Sequence, residues 1–209
     1  MGVQFKLLTV AMARAMAQAH ADAGLQQFNT LQAVAAKSRD EPQTTSYLEH
    51  MHYAVPAATS LAFAAELFLK VVHFQIFHSD PHEHDLVKLY QSLPASSRSS
   101  LESRYREMYR RDLPFNVVHF ALAAGHDSAS IPAATVPELA TLDLALSHLR
   151  DVFTSRRYIY ETMEAPTSSG IHVKSLLCLI DALRVQIDTH KGGGRVEFGA
   201  PKFRDGTVV

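Results

Sequence analysis

The stretch AATSLAFAAELFLKVVHFQIF, Ala57 to Phe77, decides the fold class. It is rich in alanine and leucine, contains no proline or glycine, and lacks the period-two alternation of a half-buried strand, so it reads as a helix. Nearly every position is apolar except Thr59, Glu66, Lys70 and His73. A helix so apolar all round is packed on most sides. Its polar strip must therefore line a groove, an interface or a buried ionic cluster, because charges taken from water without partners are costly. Glu66 and Lys70 stand at i,i+4, the spacing of an intrahelical ion pair.

Working outward, the same helical signals recur on both sides. A first helix is expected from about Val3 to Lys37, with Gly24 as a candidate break, followed by the loop Ser38–Gln43. The apolar helix is expected to begin near Thr45 and to be interrupted at Pro56. After the turn-rich connector HSDPHEH comes a short helix, DLVKLYQSL, with Asp85 suited to its N-cap and Pro94 to its end. Ser99 and Glu102 fit a capping box for the next helix. From Asp112 to Pro137 the pattern is poor, with FNVVHFALAA read as a short helix or as part of a loop cover. A long helix is expected from Pro137 to about Glu164 and a last one from Ile171 to about Thr189. The expected fold is all-α, an up-and-down bundle of about five or six helices. It comprises a single domain over residues 1–190 and a flexible glycine-containing tail over residues 191–209.

Composition narrows the function classes. The formal net charge is -1 with a sequence pI near 6.9, which argues against a surface built throughout for nucleic acid and leaves room only for local basic patches. Cys178 is the single cysteine, so an internal disulfide and a cysteine-based zinc site are both excluded and a reduced, cytoplasmic setting is expected. No apolar stretch is read as approaching the roughly 18 to 20 residues of a bilayer span, so no membrane association is expected. Arg14 interrupts the faintly signal-like N-terminal segment.

On the expected long helix, Leu142, Leu146, Leu149, Phe153, Arg156, Tyr160 and Met163 fall on one stripe at steps of four and three. Arg156 stands where a hydrophobe belongs, so its guanidinium must reach the rim or meet a carboxylate such as Glu66. Arg157 and Glu161 are spaced i,i+4 on the adjoining face.

Three segments in this order, SLAFAAELFLKVV (60–72), HDLVKLYQSLP (84–94) and FTSRRYIYE (153–161), resemble the HEPN domains, helical bundles associated with nucleotide binding and RNA cleavage. The resemblance spans about Tyr47 to Ile187 with gaps. It implies that Glu66, Lys70, His84, Asp85, Arg157, Tyr158, Tyr160 and Glu161 occupy the family's polar positions. To these the stripe adds Arg156 as a ligand-binding candidate. The resemblance further implies a module that binds a nucleotide, RNA or a protein partner without robust catalysis, in a prokaryotic defence or toxin–antitoxin setting. A homodimer is expected partly from the resemblance and partly because the apolar helix from Ala57 to Phe77 needs cover on several sides. No cofactor or metal is expected.

The alternative is a metal-independent endoribonuclease. HEPN ribonucleases carry R-x4-6-H, in which histidine transfers protons and arginine stabilises phosphate charge. Arg14 with His20 and Arg184 with His190 match this spacing, and roughly two such matches arise by chance in a chain of this arginine and histidine content. Only Arg184 and His190 lie downstream of the H-D-L segment, making them the catalytic candidates. In a regular helix, six residues rotate by about 240°, so the pair converges only if the helix ends near Ile187. His78, His82 and His84 with Asp80, Glu83 and Asp85 read as a solvated connector ahead of a metal site. Arg98, Arg104, Arg106, Arg110 and Arg111 interleave with Tyr105 and Tyr109, a combination that suits phosphates and stacked bases and equally an exposed amphipathic helix.

Overall fold

A computed structural model describes residues 2–40, 47–79, 81–111, 118–122, 138–150, 167–190, 203–204 and 207–208. The fold is an all-α bundle, as expected, with six helices among the described residues: α1 (Gly2–Asp40), α2 (Tyr47–Phe77), α3 (Leu86–Gln91), α4 (Ala95–Tyr109), α5 (Leu142–Leu149) and α6 (Val173–Thr189). Strand β1 (Val118–Leu122) pairs antiparallel with β2 (Thr167–Ile171), Val118 opposite Ile171 and Leu122 opposite Thr167. The segment FNVVHFALAA, read as a short helix or as part of a loop cover, is a strand over these five residues; its β-branched and aromatic residues take the extended form once a partner strand is present. In the tail, β3 (Phe203–Arg204) pairs with β4 (Thr207–Val208).

α2 is the centre of the bundle. Ala57, Leu61, Ala64, Ala65, Phe68, Leu69 and Val72 along it are buried, and α1 and α6 supply most of the cover. The cover thus comes from the same chain. The helix runs unbroken through Pro56, against the expected interruption: the proline forfeits one intrahelical bond, and packing on both flanks outweighs that loss. Between His52 and Phe77, α2 is also long and apolar enough to cross a membrane, contrary to the sequence reading. Of its most apolar window 67% is buried inside the bundle, as in the core helix of a globular domain.

Gly24 does not break α1. It lies at the crossing with α2, where a Cβ would stand 2.8 Å from Leu61 Cγ and 3.0 Å from the Ala57 carbonyl oxygen. The residue is glycine because the two backbones come too close for any side chain. α1 is also tied to α6 by the Arg14–Asp188 ion pair.

α4 starts at Ala95, after Pro94, so Ser99 and Glu102 sit inside the helix and not at a capping box. Glu102 is used laterally instead: it pairs with Arg106, and its Oε2 accepts the Leu142 N–H at 2.9 Å. The tyrosines of α4 clamp the backbone ahead of α5. Tyr105 donates to the Leu139 carbonyl at 2.7 Å, while the Leu139 N–H donates to the Tyr109 hydroxyl at 3.1 Å. Both backbone groups of a buried residue are satisfied in this way. α5 begins at Leu142 with Thr141 as its N-cap, later than the expected start at Pro137. Leu142, Leu146 and Leu149 are buried as the stripe requires; Phe153, Arg156, Tyr160 and Met163 lie outside the described residues.

Burial pushes the Tyr90 hydroxyl up to about 12, helped by the nearby charges of Asp143 and Glu102, and raises Tyr105 and Tyr109 as well. It also moves the Cys178 thiol to about 12, which leaves that sulfur un-ionised and unreactive near neutrality.

Gly24→Ala is expected to lower stability by about 1–3 kcal/mol, overpacking outweighing the gain in helix propensity; thermal denaturation checks the sign. Raised hydroxyl and thiol values mean that the native chain keeps protons which the unfolded chain releases near pH 9–10. The stability they contribute is complete below that pH and is lost as pH rises toward about 12. In an alkaline titration, tyrosinate absorbance from three of the seven tyrosines should rise only together with loss of helical circular dichroism.

Candidate functional site

Glu66 lies in the middle of α2 and is 2% exposed. Its Oε1 is 3.1 Å from Lys70 Nζ and 2.8 Å from His84 Nδ1. A carboxylate accepts and does not donate, so Nδ1 carries the hydrogen in that contact and Nε2 is left as the second ring nitrogen. Lys70 Nζ also stands 3.5 Å from Nδ1, but two donors cannot bond each other, and Lys70 instead donates to Glu66. The imidazole ring is 72% exposed, whereas the Lys70 side chain is 17% exposed. An exposed ring is thus oriented by a buried acid.

The backbone around His84 is fixed from both sides. Glu83 Oε1 accepts the N–H groups of His84 and Asp85, each at 3.0 Å, and its Oε2 meets Lys88 Nζ at 3.2 Å. The Asp85 N–H, the Lys88 ammonium and the His84 N–H hold the Glu83 carboxyl below its ordinary range. Asp85 is the N-cap of α3, as its position in the sequence implies: Oδ1 accepts from Val87 N at 2.9 Å and from Lys88 N at 3.3 Å. Its Oδ2 accepts from Arg150 Nε at 2.8 Å and Nη2 at 2.6 Å. Arg150 is the C-cap of α5, where a cation complements the helix dipole. One aspartate therefore caps α3 and anchors the end of α5.

Four of the sequence candidates, Glu66, Lys70, His84 and Asp85, are brought together. Arg156, Arg157, Tyr158, Tyr160 and Glu161, and with them the expected meeting of Arg156 with Glu66, lie outside the described residues. Sequence reasoning missed Arg150 and Glu83 as members. Arg150 has the signal of a cation closing a helix, but only the fold shows which carboxylate it reaches. Of the other polar positions on α2, Thr59 donates to the Val55 carbonyl at 2.9 Å, and His73 lies against the Phe77 ring at 4.5 Å.

The nuclease candidates are arranged differently. α6 is helical through Thr189 with His190 as C-cap, so it runs past Ile187 and the side chains of Arg184 and His190 leave the axis about 120° apart. Arg184 has Asp181, Asp22 and Asp188 as charged neighbours, and burial lowers its pKa from the ordinary range. Arg14, of the other matching pair, is engaged by Asp188, while His20 packs edge-on to Phe63 at 4.7 Å. Tyr105 is fully buried and Tyr109 nearly so; neither offers a ring face to a stacked base.

The fold and site define a helical bundle carrying a charge-compensated polar cluster at the junction of α2, α3 and α5. Comparison of the chain with protein-family models, with curated proteins and with solved structures finds no match in any of the three.

Glu66→Ala should destabilise the fold by about 3 kcal/mol, because it strands the ammonium of Lys70 against an apolar helix. Lys70→Met added to it should recover part of that loss, since the pair is then absent from both sides; chemical denaturation of the single and double variants measures the coupling.

Proposed function

We propose that the chain is a HEPN-like helical module that binds a protein partner through the surface around His84, without robust catalysis. One observation carries this reading: among the described residues, each cation of the cluster is already matched by a carboxylate, Lys70 by Glu66, Lys88 by Glu83 and Arg150 by Asp85. A surface with its cations committed adds little to the capture of polyanions, whose affinity rests on cations available to phosphate. What it offers is a preoriented imidazole amid balanced charges, which suits hydrogen bonding across a protein interface. A nucleotide or an RNA fits this cluster less well.

The single cysteine adds a reduced cytoplasmic setting to the proposal, and the resemblance adds a homodimer and a prokaryotic defence or toxin–antitoxin system in which the partner is a cognate protein. Met12 and Met16, exposed one turn apart on α1, offer an apolar contact for a second copy. The endoribonuclease alternative needs Arg184 and His190 to act on one phosphate, and the regular end of α6 separates them.

Co-expression with the products of adjacent genes, followed by co-purification, tests the proposal. A stable complex is expected for the native chain, weakened at least about tenfold by His84→Ala, the loss of one charge-assisted contact. Retention of every complex by His84→Ala would overturn it. So would cleavage of labelled single-stranded RNA that His190→Ala abolishes.

A further inference from the structure

A second site lies at the other end of α5. The last turn of α4 (Arg106, Tyr109, Arg110), Glu138, Ala140 and Thr141 ahead of α5 and Lys174 in the first turn of α6 line a half-open cavity of about 500 Å³. By volume it falls within the usual range of small-molecule pockets. α5 has eight residues, so its two ends, and with them this cavity and the Arg150–Asp85 pair, are about 12 Å apart.

The cavity's charge is only partly compensated, whereas the other described arginines of α4 that form ion pairs are balanced. Arg104 meets Asp181 and Glu107, and Arg111 meets Glu107. Arg110 and Lys174 have no carboxylate partner among the described residues. Arg106 is held to Glu102 through Nε, and its terminal nitrogens have no partner there either. Among the described residues, three cations thus line the cavity; Glu138 is the carboxylate in its lining, and Glu102 behind it neutralises Arg106.

The helix dipole gives no reason to place Lys174 there. A cation in the first turn of a helix opposes the dipole, and the first turn of α6 contains no acidic residue to offset it. The side chain lies instead over the Tyr109 ring, with Nζ 4.5 Å from the centroid. Tyr109 is in turn stacked with Tyr105 at 5.7 Å and fixed by its hydroxyl to Leu139. This gives the cavity a rigid wall that is too buried to stack on a nucleobase. Thr141 accepts the Leu144 N–H at 3.4 Å, so its own hydroxyl hydrogen remains available to donate. Glu138 is exposed at the rim and can accept from a ligand hydroxyl.

We propose that this cavity binds a small phosphate ester whose organic part carries hydroxyl groups: the phosphate is held by Arg110, Lys174 and Arg106 with the Thr141 hydroxyl, and a ligand hydroxyl is held by Glu138. Guanidinium and ammonium groups around phosphate form charge-assisted hydrogen bonds. The fixed tyrosine wall and the lack of an open aromatic face favour a sugar phosphate over a nucleotide read by its base. The site is separate from the His84 surface and does not depend on the reading given to that surface.

Calorimetric titration of the full chain with ribose 5-phosphate, inorganic phosphate and adenosine monophosphate tests this assignment. Ribose 5-phosphate is expected to bind more tightly than inorganic phosphate and no more weakly than the nucleotide. Arg110→Gln and Lys174→Gln should each weaken it at least about tenfold, the loss of one charge-assisted hydrogen bond. Glu138→Gln should reduce the preference over inorganic phosphate, and His84→Ala should leave binding unchanged. Circular dichroism of each variant shows whether the fold is intact. Absence of binding by any of the three probes overturns the assignment, as does binding that survives both cation substitutions in folded protein. Binding lost equally in His84→Ala would place the ligand at the other surface and would also overturn it.

Discussion

The structure depends on a carboxylate that cannot be left alone. Glu66 sits at the centre of a helix packed by its own chain on most sides, where an unpaired charge would cost several kcal/mol, on the order of the whole stability of a domain. Lys70 one turn away supplies part of the compensation, but its ammonium answers only one direction. The second donor has to come from another element, and His84 provides it from the connector before α3. This requirement fixes where the connector lies. Glu83 and Asp85 then hold that connector in place, through backbone amides on one side and Arg150 on the other. The junction of three helices follows from satisfying one buried acid.

The same arrangement separates the molecule's two polar regions. Around His84 the opposite charges are matched pair by pair, so the region is rigid and close to neutral. At the far end of α5 the cations of α4 and α6 converge in excess of the acids lining the cavity, and the tyrosines that clamp Leu139 form a wall in place of a stacking platform. α5 links the two: its C-cap binds the aspartate that caps α3, while its N-terminal approach is held by Tyr105, Tyr109 and Glu102. A short helix that is weak in isolation is stable here because both ends are tied.

The bundle was readable in the apolar run from Ala57 to Phe77 and in the leucine stripe of Leu142, Leu146 and Leu149, since helical periodicity and burial are local properties of sequence. The role of Asp85 was readable for the same reason, an N-cap being decided within three residues. Pro56, Gly24 and the Ser99–Glu102 pair were not readable. Pro56 and Gly24 were assigned the ordinary local meaning of breakers, which packing against another helix overrode, and the Ser99–Glu102 pair was read as a cap although α4 starts a turn earlier, after Pro94. The strand at Val118–Leu122 was hidden because its partner, Thr167–Ile171, lies far away in the chain.

The sequence by itself determined an all-α chain, the ion pair of Glu66 with Lys70 and the start of α3, because these depend on spacings within one or two helical turns. Only the tertiary structure decided that His84 completes the pair, that Arg150 anchors Asp85, and that Arg106, Arg110 and Lys174 face a common cavity. Those contacts join residues 18 to 68 positions apart, and no local rule sets which side chains meet over such separations. Burial of α2 does, because it forces the remaining helices into the few positions from which they can cover it.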